Sequence, residues 1–111
     1  MPLPSEIVLL PFPFTDLSAT KRRPVLVLSN SNEQRDFLAA QITSQIQYRP
    51  AVSLIAEDFE LGRLPKESIV RLDKIFTLSE ALIARRVGKL TASGFERIFR
   101  AICQQLGCLQ R

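Results

Sequence analysis

Apolar positions along most of this chain come in short blocks separated by polar or proline-containing links. Only the last segment carries them at helical spacing. EIVLL (6–10) has β character, and Pro11-Phe12-Pro13-Phe14 ends it because proline cannot donate to a ladder. A strand over 25–29 starts after Pro24, whose missing N–H is tolerable at a first position. Its four consecutive apolar residues, Val25 to Leu28, imply burial on both faces, with the core on one side and a helix or partner subunit on the other. Further strands are expected over 38–42, 52–55, 68–76 and 82–87, the last ending at Gly88. In SIVRLDKIF (68–76) alternation turns Val70 and Leu72 to the core and puts Arg71 and Asp73 together on the opposite face. Lys74 then falls on the core side, so the strand should bend or end there. EDFELGRL (57–64) is acidic and contains Gly62, which points to a turn or a short helical turn.

Past Gly88 the period changes. Phe95, Ile98, Phe99, Ile102 and Leu106 share one face of a helix that Thr91 or Ser93 can cap and Gly107 can close. That stripe is predicted to pack against the sheet or a second subunit. No internal repeat, low-complexity tract or linker is present. Five or six short strands followed by one helix predict a single domain over 1–111, mainly β: a small β-barrel with a C-terminal α-helix across it.

Composition narrows the function classes. The chain has 111 residues, 46% of them hydrophobic, enough for one core and unlike a disordered chain. No apolar run approaches the roughly 20 residues that span a bilayer, and MPLPSE lacks the basic start of a secretory signal. A cytoplasmic location is expected. The formal charge is +4 and the isoelectric point near 9.6, which favours anionic partners such as nucleic acid or an acidic protein tail. Cys103 and Cys108, five apart and separated by Gly107, read as structural or incidental thiols.

The absence of histidine removes Ser-His-Asp, Cys-His and two-histidine ribonuclease arrangements. The scattered glycines form no phosphate loop, and no zinc or calcium ligand spacing is present, so no metal or cofactor is expected. What remains is arginine, hydroxyls and a carboxylate. The stretch 21–45 places Lys21, Arg22 and Arg23 before one strand and Thr43, Ser44 and Gln45 at the end of the next. A strand pair can bring both groups to one surface, where arginine beside hydroxyls suits a phosphate. Such a set fits metal-free cleavage of RNA, in which a ribose 2′-OH attacks the adjacent phosphorus and charge grows on the non-bridging oxygens. Arg23 supplies a fixed positive fork, and Thr43 and Ser44 supply donors. Asp73 is the candidate base, weakened by Arg71 beside it.

IVLLPFPFTD, KRRPVLVLS, AAQITSQ, VRLDKIFTLS and the closing LTASGFERIFRAICQQLG, in that order, resemble the MazF/PemK family of toxins from type II toxin–antitoxin systems. The resemblance implies a homodimeric SH3-like barrel and a sequence-selective, metal-independent endoribonuclease (mRNA interferase) acting on single-stranded RNA. It also implies a cognate antitoxin that lays an acidic, largely disordered segment over the dimer. The family's arginine before the proline of the RP-x-[VL]-[VL]-L-S strand corresponds to Arg23. Its threonine in T-[ST]-Q corresponds to Thr43, with Ser44 and Gln45 beside it, and the Arg-x-Asp pair assigned acid and base roles in the PemK branch corresponds to Arg71 and Asp73. Ser5-Glu6 stands where the family usually has Gly-Asp. The loop 15–22 lacks a histidine seen in some members, whose role in RNA binding would fall to Asp16, Lys21 or Arg22. Two alternatives remain on the same scaffold: a non-catalytic CcdB-like poison that binds DNA gyrase, and an inactive RNA-binding relative.

Overall fold

The computed structural model describes residues 2–11 and 21–108. Within them lie β1 (Glu6–Pro11), β2 (Arg22–Val27), β3 (Asp36–Thr43), β4 (Ala51–Leu54), β5 (Phe59–Gly62), β6 (Ser68–Ser79), β7 (Arg85–Leu90) and α1 (Ala92–Leu106). The strands form one antiparallel sheet in the order β4-β6-β3-β2-β1-β7-β5. Its two outermost strands, β4 and β5, are also neighbours in sequence, joined by a 3-10 turn at Ala56–Asp58. So short a link between opposite ends of a sheet requires the sheet to curl, and the result is a mainly β half-barrel carrying one C-terminal helix.

The VLVL run behaves as its composition demands. Leu26 and Leu28 join Ile7, Ala40, Ile42, Val70, Leu72 and Leu90 inside the curl, where Ile98 and Ile102 of α1 close the core. Val25 and Val27 face the other way, into a second cluster with Val8, Leu10, Phe37, Ala39 and Leu78. The helix therefore lies on the core side. On the opposite face, Phe76, Leu82 and Ile83 pack against the second cluster; of the two covers expected from sequence, a helix or a partner subunit, the helix is not there.

Strand boundaries differ from expectation: β2 starts at Arg22, so Pro24 lies inside it rather than at its first position, β3 and β6 run longer than 38–42 and 68–76, and β4 is shifted by one residue from 52–55. The described residues contain seven strands rather than five or six, because β5 lies within the segment read as a turn. Its single neighbour is β7, and a four-residue edge strand buried on few sides carries little apolar signal. β7 runs over Arg85–Leu90 rather than 82–87. Leu82 belongs to a 3-10 turn (Glu80–Leu82), capped by Ser79, whose Oγ accepts from the Ala81 N–H at 3.1 Å. Leu82 and Ile83 are apolar because they cover the second cluster, not because they are strand. Gly88 accordingly sits inside β7, opposite Ile7 on one side and Gly62 on the other.

The bend expected at Lys74 is present. β3 and β6 pair at Ala40↔Ile75 and next at Ile42↔Val70, so two steps of β3 are spanned by five of β6. Residues 71–74 stand opposite Gln41 alone and form a bulge that increases local twist. At the far end, the Thr91 hydroxyl accepts from the Gly94 N–H at 3.0 Å, and Gly107 closes α1 in the left-handed conformation (φ 82°). Cys103 and Cys108 are free thiols.

Candidate active site

The site forms where β2 and β3 part. β2 stays paired with β1 through Leu10↔Arg23 and Pro11↔Arg22, while its ladder with β3 runs over Val25↔Gln41 to Val27↔Ala39. β2 extends past that ladder to Arg23 and Arg22, and β3 extends past it to Thr43, so these residues stand at the opening between the two strands. Pro24, which has no N–H to offer, stands at the point of divergence. Arg22, Arg23, Pro24, Thr43 and Ser44 all line one cavity of about 400 Å³. Thr43 Oγ1 accepts from the Gln45 N–H at 3.1 Å, which anchors the hydroxyl oxygen and leaves its proton free to donate.

Three further cations line the same cavity: Arg63 and Lys66 from the link between β5 and β6, and Arg85 from the start of β7. Sequence reasoning missed them. The only signal is their charge; nothing in the spacing places them beside Arg23, because closure of the sheet does so. The lining contains no aspartate or glutamate. Leu9, Pro24, Ile42, Leu64, Pro65 and Val87 supply its apolar part. A cavity lined by five cations and three hydroxyl residues (Thr43, Ser44 and Ser68), with no carboxylate, is suited to hold a multiply charged anion.

The remaining sequence candidates are placed elsewhere. Arg71 and Asp73 lie on β6 and do not line the cavity. They form a two-pronged ion pair, Arg71 Nε to Asp73 Oδ1 at 3.2 Å and Nη2 to Oδ2 at 3.0 Å. The Arg71 guanidinium also stacks 4.1 Å from the Tyr48 ring centre. Hydrogen bonding from Arg71 is the chief cause that holds the Asp73 carboxyl below its ordinary value of 3.8; burial opposes it, and the Arg71 charge adds to the lowering. Lys21 and Gln45 are exposed and outside the cavity lining. Asp16 lies outside the described residues, as does most of the 15–22 loop. Among the described residues, no three acidic or cysteine side chains gather as metal ligands would, and no helix is long and apolar enough to cross a membrane.

A curled sheet that opens at its strand ends on a polycationic, hydroxyl-bearing cleft is suited to receive phosphate esters. The chain belongs to the family of PemK-like, MazF-like toxins of type II toxin–antitoxin systems, whose model matches residues 4–106. Among similar proteins is the endoribonuclease MazF6 of Mycobacterium tuberculosis, 31% identical over 86 residues that cover 74% of this chain and 75% of the relative. MazF from Deinococcus radiodurans superposes with a TM-score of 0.73 at 25% identity, covering 96% of each chain. A mycobacterial endoribonuclease solved in complex with its cognate antitoxin superposes with a TM-score of 0.71 at 23% identity, covering 96% of this chain and 93% of that one.

Proposed function

We propose that this chain is a toxin endoribonuclease that cuts single-stranded mRNA at short specific sequences by attack of the 2′-OH on the neighbouring phosphorus, without a metal. The carrying observation is that Arg23 and Thr43, from two strands, border one cavity that is rich in cations and free of carboxylates. Family membership and the endoribonuclease relatives support the same assignment.

Arg23 holds the non-bridging oxygens as charge develops, and the Thr43 hydroxyl, backed by Ser44, donates to the same phosphate. The cavity lining offers no carboxylate, so the 2′-OH proton goes to a group beyond it; Asp73, kept ionised by Arg71 on β6, takes that proton where the bound ribose extends past the lining, with Arg71 orienting it. A carboxylate of depressed pKa is a weak base, so turnover is slow, which a toxin tolerates. Lys21, Arg22 and Gln45, with Asp16 in the preceding loop, contact the RNA on either side of the scissile bond. The active species is a homodimer in the cytoplasm, neutralised by an antitoxin whose acidic disordered segment covers the cationic cleft. The antitoxin complex of the mycobacterial relative supports that partner. The gyrase-poison alternative has no observation in its favour, whereas a ready-made phosphate cleft favours the nuclease.

The test is incubation of a long, weakly structured RNA with the protein in EDTA, followed by mapping of product ends. Discrete fragments with 5′-hydroxyl and 2′,3′-cyclic phosphate ends are expected. Intact RNA, 5′-phosphate ends or strict magnesium dependence each contradict the proposal. Intact RNA with tight gyrase binding would support the poison instead, and salt-dependent RNA binding without fragments the inactive relative.

A further inference from the structure

Five cations is more than one scissile phosphate needs. Arg22 and Arg23 enter the cavity from β2, while Arg63, Lys66 and Arg85 come from the β5–β6 link and β7. Arg85 pairs with Leu9, and Leu9 with Pro24, so Arg85 stands two strands from Pro24. At about 4.8 Å per strand that is roughly 10 Å between backbones, wide enough for two neighbouring phosphates of one strand to lie side by side between the walls.

The ion pairs among the described residues sharpen the point. Arg35, Arg71, Arg86 and Arg97 are each paired, with Glu80, Asp73, Glu6 and Asp58. None of the five cavity cations takes part in these pairs. The contrast is clearest between neighbours: Arg86 binds Glu6 at 2.8 Å, while Arg85, next to it on β7, borders the cavity. Uncompensated like charges around one cleft repel one another when it is empty. The repulsion is relieved most by a ligand that brings several negative charges at fixed spacing.

We propose that Arg63, Lys66 and Arg85 form a second phosphate subsite, which holds the backbone phosphate flanking the scissile linkage of a single-stranded RNA. This rests on the nuclease assignment. The two walls then set the path of the strand across the cleft. Arg23 and Thr43 hold the linkage to be cut, and the opposite wall holds its neighbour, so sequence-independent affinity comes mainly from the second wall.

The experiment uses the full-length protein and an oligonucleotide spanning a mapped cleavage site, blocked by 2′-O-methylation at the attacking ribose. Binding is measured against salt for wild type and for Lys66→Gln and Arg85→Gln, two exposed positions. Each variant should lower the slope of log affinity against log salt by about 0.7, the value for one lost phosphate contact on a single strand. A single neutral methylphosphonate is then walked along the oligonucleotide. At the flanking linkage it should abolish the difference between wild type and Arg85→Gln; elsewhere it should preserve it. Slopes that do not change, or a difference abolished only at the scissile linkage, overturn the second subsite while the nuclease assignment stands. Wild-type protein that neither binds the blocked RNA nor cuts the unblocked one overturns the nuclease assignment, and the subsite falls with it.

Discussion

Arg71 grips both carboxylate oxygens of Asp73, at 3.2 and 3.0 Å, while its flat face lies against Tyr48. The grip uses the guanidinium twice: its edge for two parallel hydrogen bonds and its face for a cation–π contact. Its consequence is a carboxyl held below 3.8. A carboxyl with a depressed folded pKa adds stability above its unfolded value and loses it as pH falls through the folded value. The Asp73 contribution is thus complete at neutral pH and disappears only in acid below 3.8. Carbon-detected NMR titration should show the low value in wild type and a return toward the ordinary value in Arg71→Gln. Asp73→Asn should lower kcat about 10²–10⁴-fold, as loss of a general base does. An unchanged kcat would reduce the pair to a structural clamp on the 71–74 bulge.

Arg23→Ala should preserve the fold, since the side chain borders a cavity rather than the core, and should depress cleavage by about 10²–10³-fold. Thr43→Val keeps the shape and removes the donor, and a loss of similar order is expected, in kcat rather than KM. Single-turnover cleavage of a mapped site, with circular dichroism as the fold control, distinguishes lost chemistry from lost structure.

The parts of this molecule legible in its sequence are those with local causes. Thr91 and Gly107 announce the ends of α1, and Val70–Asp73 announces an alternating strand. Arg23 and Thr43 could be placed together because a strand pair joined by a short link has few registers. Arg63, Lys66 and Arg85 could not, since they reach the cleft only when the outer strands of the sheet curl. β5 was hidden because FELG is only four residues long, lies at the sheet edge and ends on Gly62, which reads as a turn. The helix stripe shows a different limit. Ile98 and Ile102 are buried, but Phe99 is 39% exposed and Leu106 66%. Periodicity marks a face without saying how much of it the sheet can cover.

Ser5 and Gly62 make opposite predictions from the same backbone geometry. Both adopt left-handed φ, 80° and 72°, a conformation that costs a residue with a Cβ about 1–2 kcal/mol. Ser5 is tied in place, its N–H donating to the Val27 carbonyl and its carbonyl accepting from Leu90. This is the position where the family usually has glycine, and Ser5→Gly should be neutral to stabilising by up to about 1 kcal/mol, because relief of strain exceeds the added unfolded-state entropy. Gly62→Ala should be strongly destabilising: a Cβ there would stand 2.2 Å from the Val87 carbonyl oxygen, forcing β5 away from β7. Urea denaturation of the two variants should move the midpoint in opposite directions.

Asp58 fastens the helix to the seam of the curled sheet. It is 6% exposed. Its Oδ2 accepts from the Ile55 N–H at 2.9 Å and from Arg97 at 2.7 Å, and its carbonyl accepts from the Thr91 N–H at 2.7 Å. Gly94 permits this approach, since a Cβ there would lie 3.1 Å from the Asp58 carbonyl oxygen. Asp58→Ala strands a backbone N–H and releases a cation, and should cost about 1–3 kcal/mol. Arg97→Ala should cost less, because its side chain is 47% exposed and a partly solvated pair is worth little. Asp58→Asn, which keeps an acceptor for Ile55 but loses the charge that holds Arg97, should fall between them. The ranking Ala, then Asn, at position 58, then Ala at 97, read from urea midpoints at constant m-value, tests whether the carboxylate's backbone bond or its ion pair does more to hold α1. Equal effects at 58 and 97 would assign the anchorage to the ion pair alone.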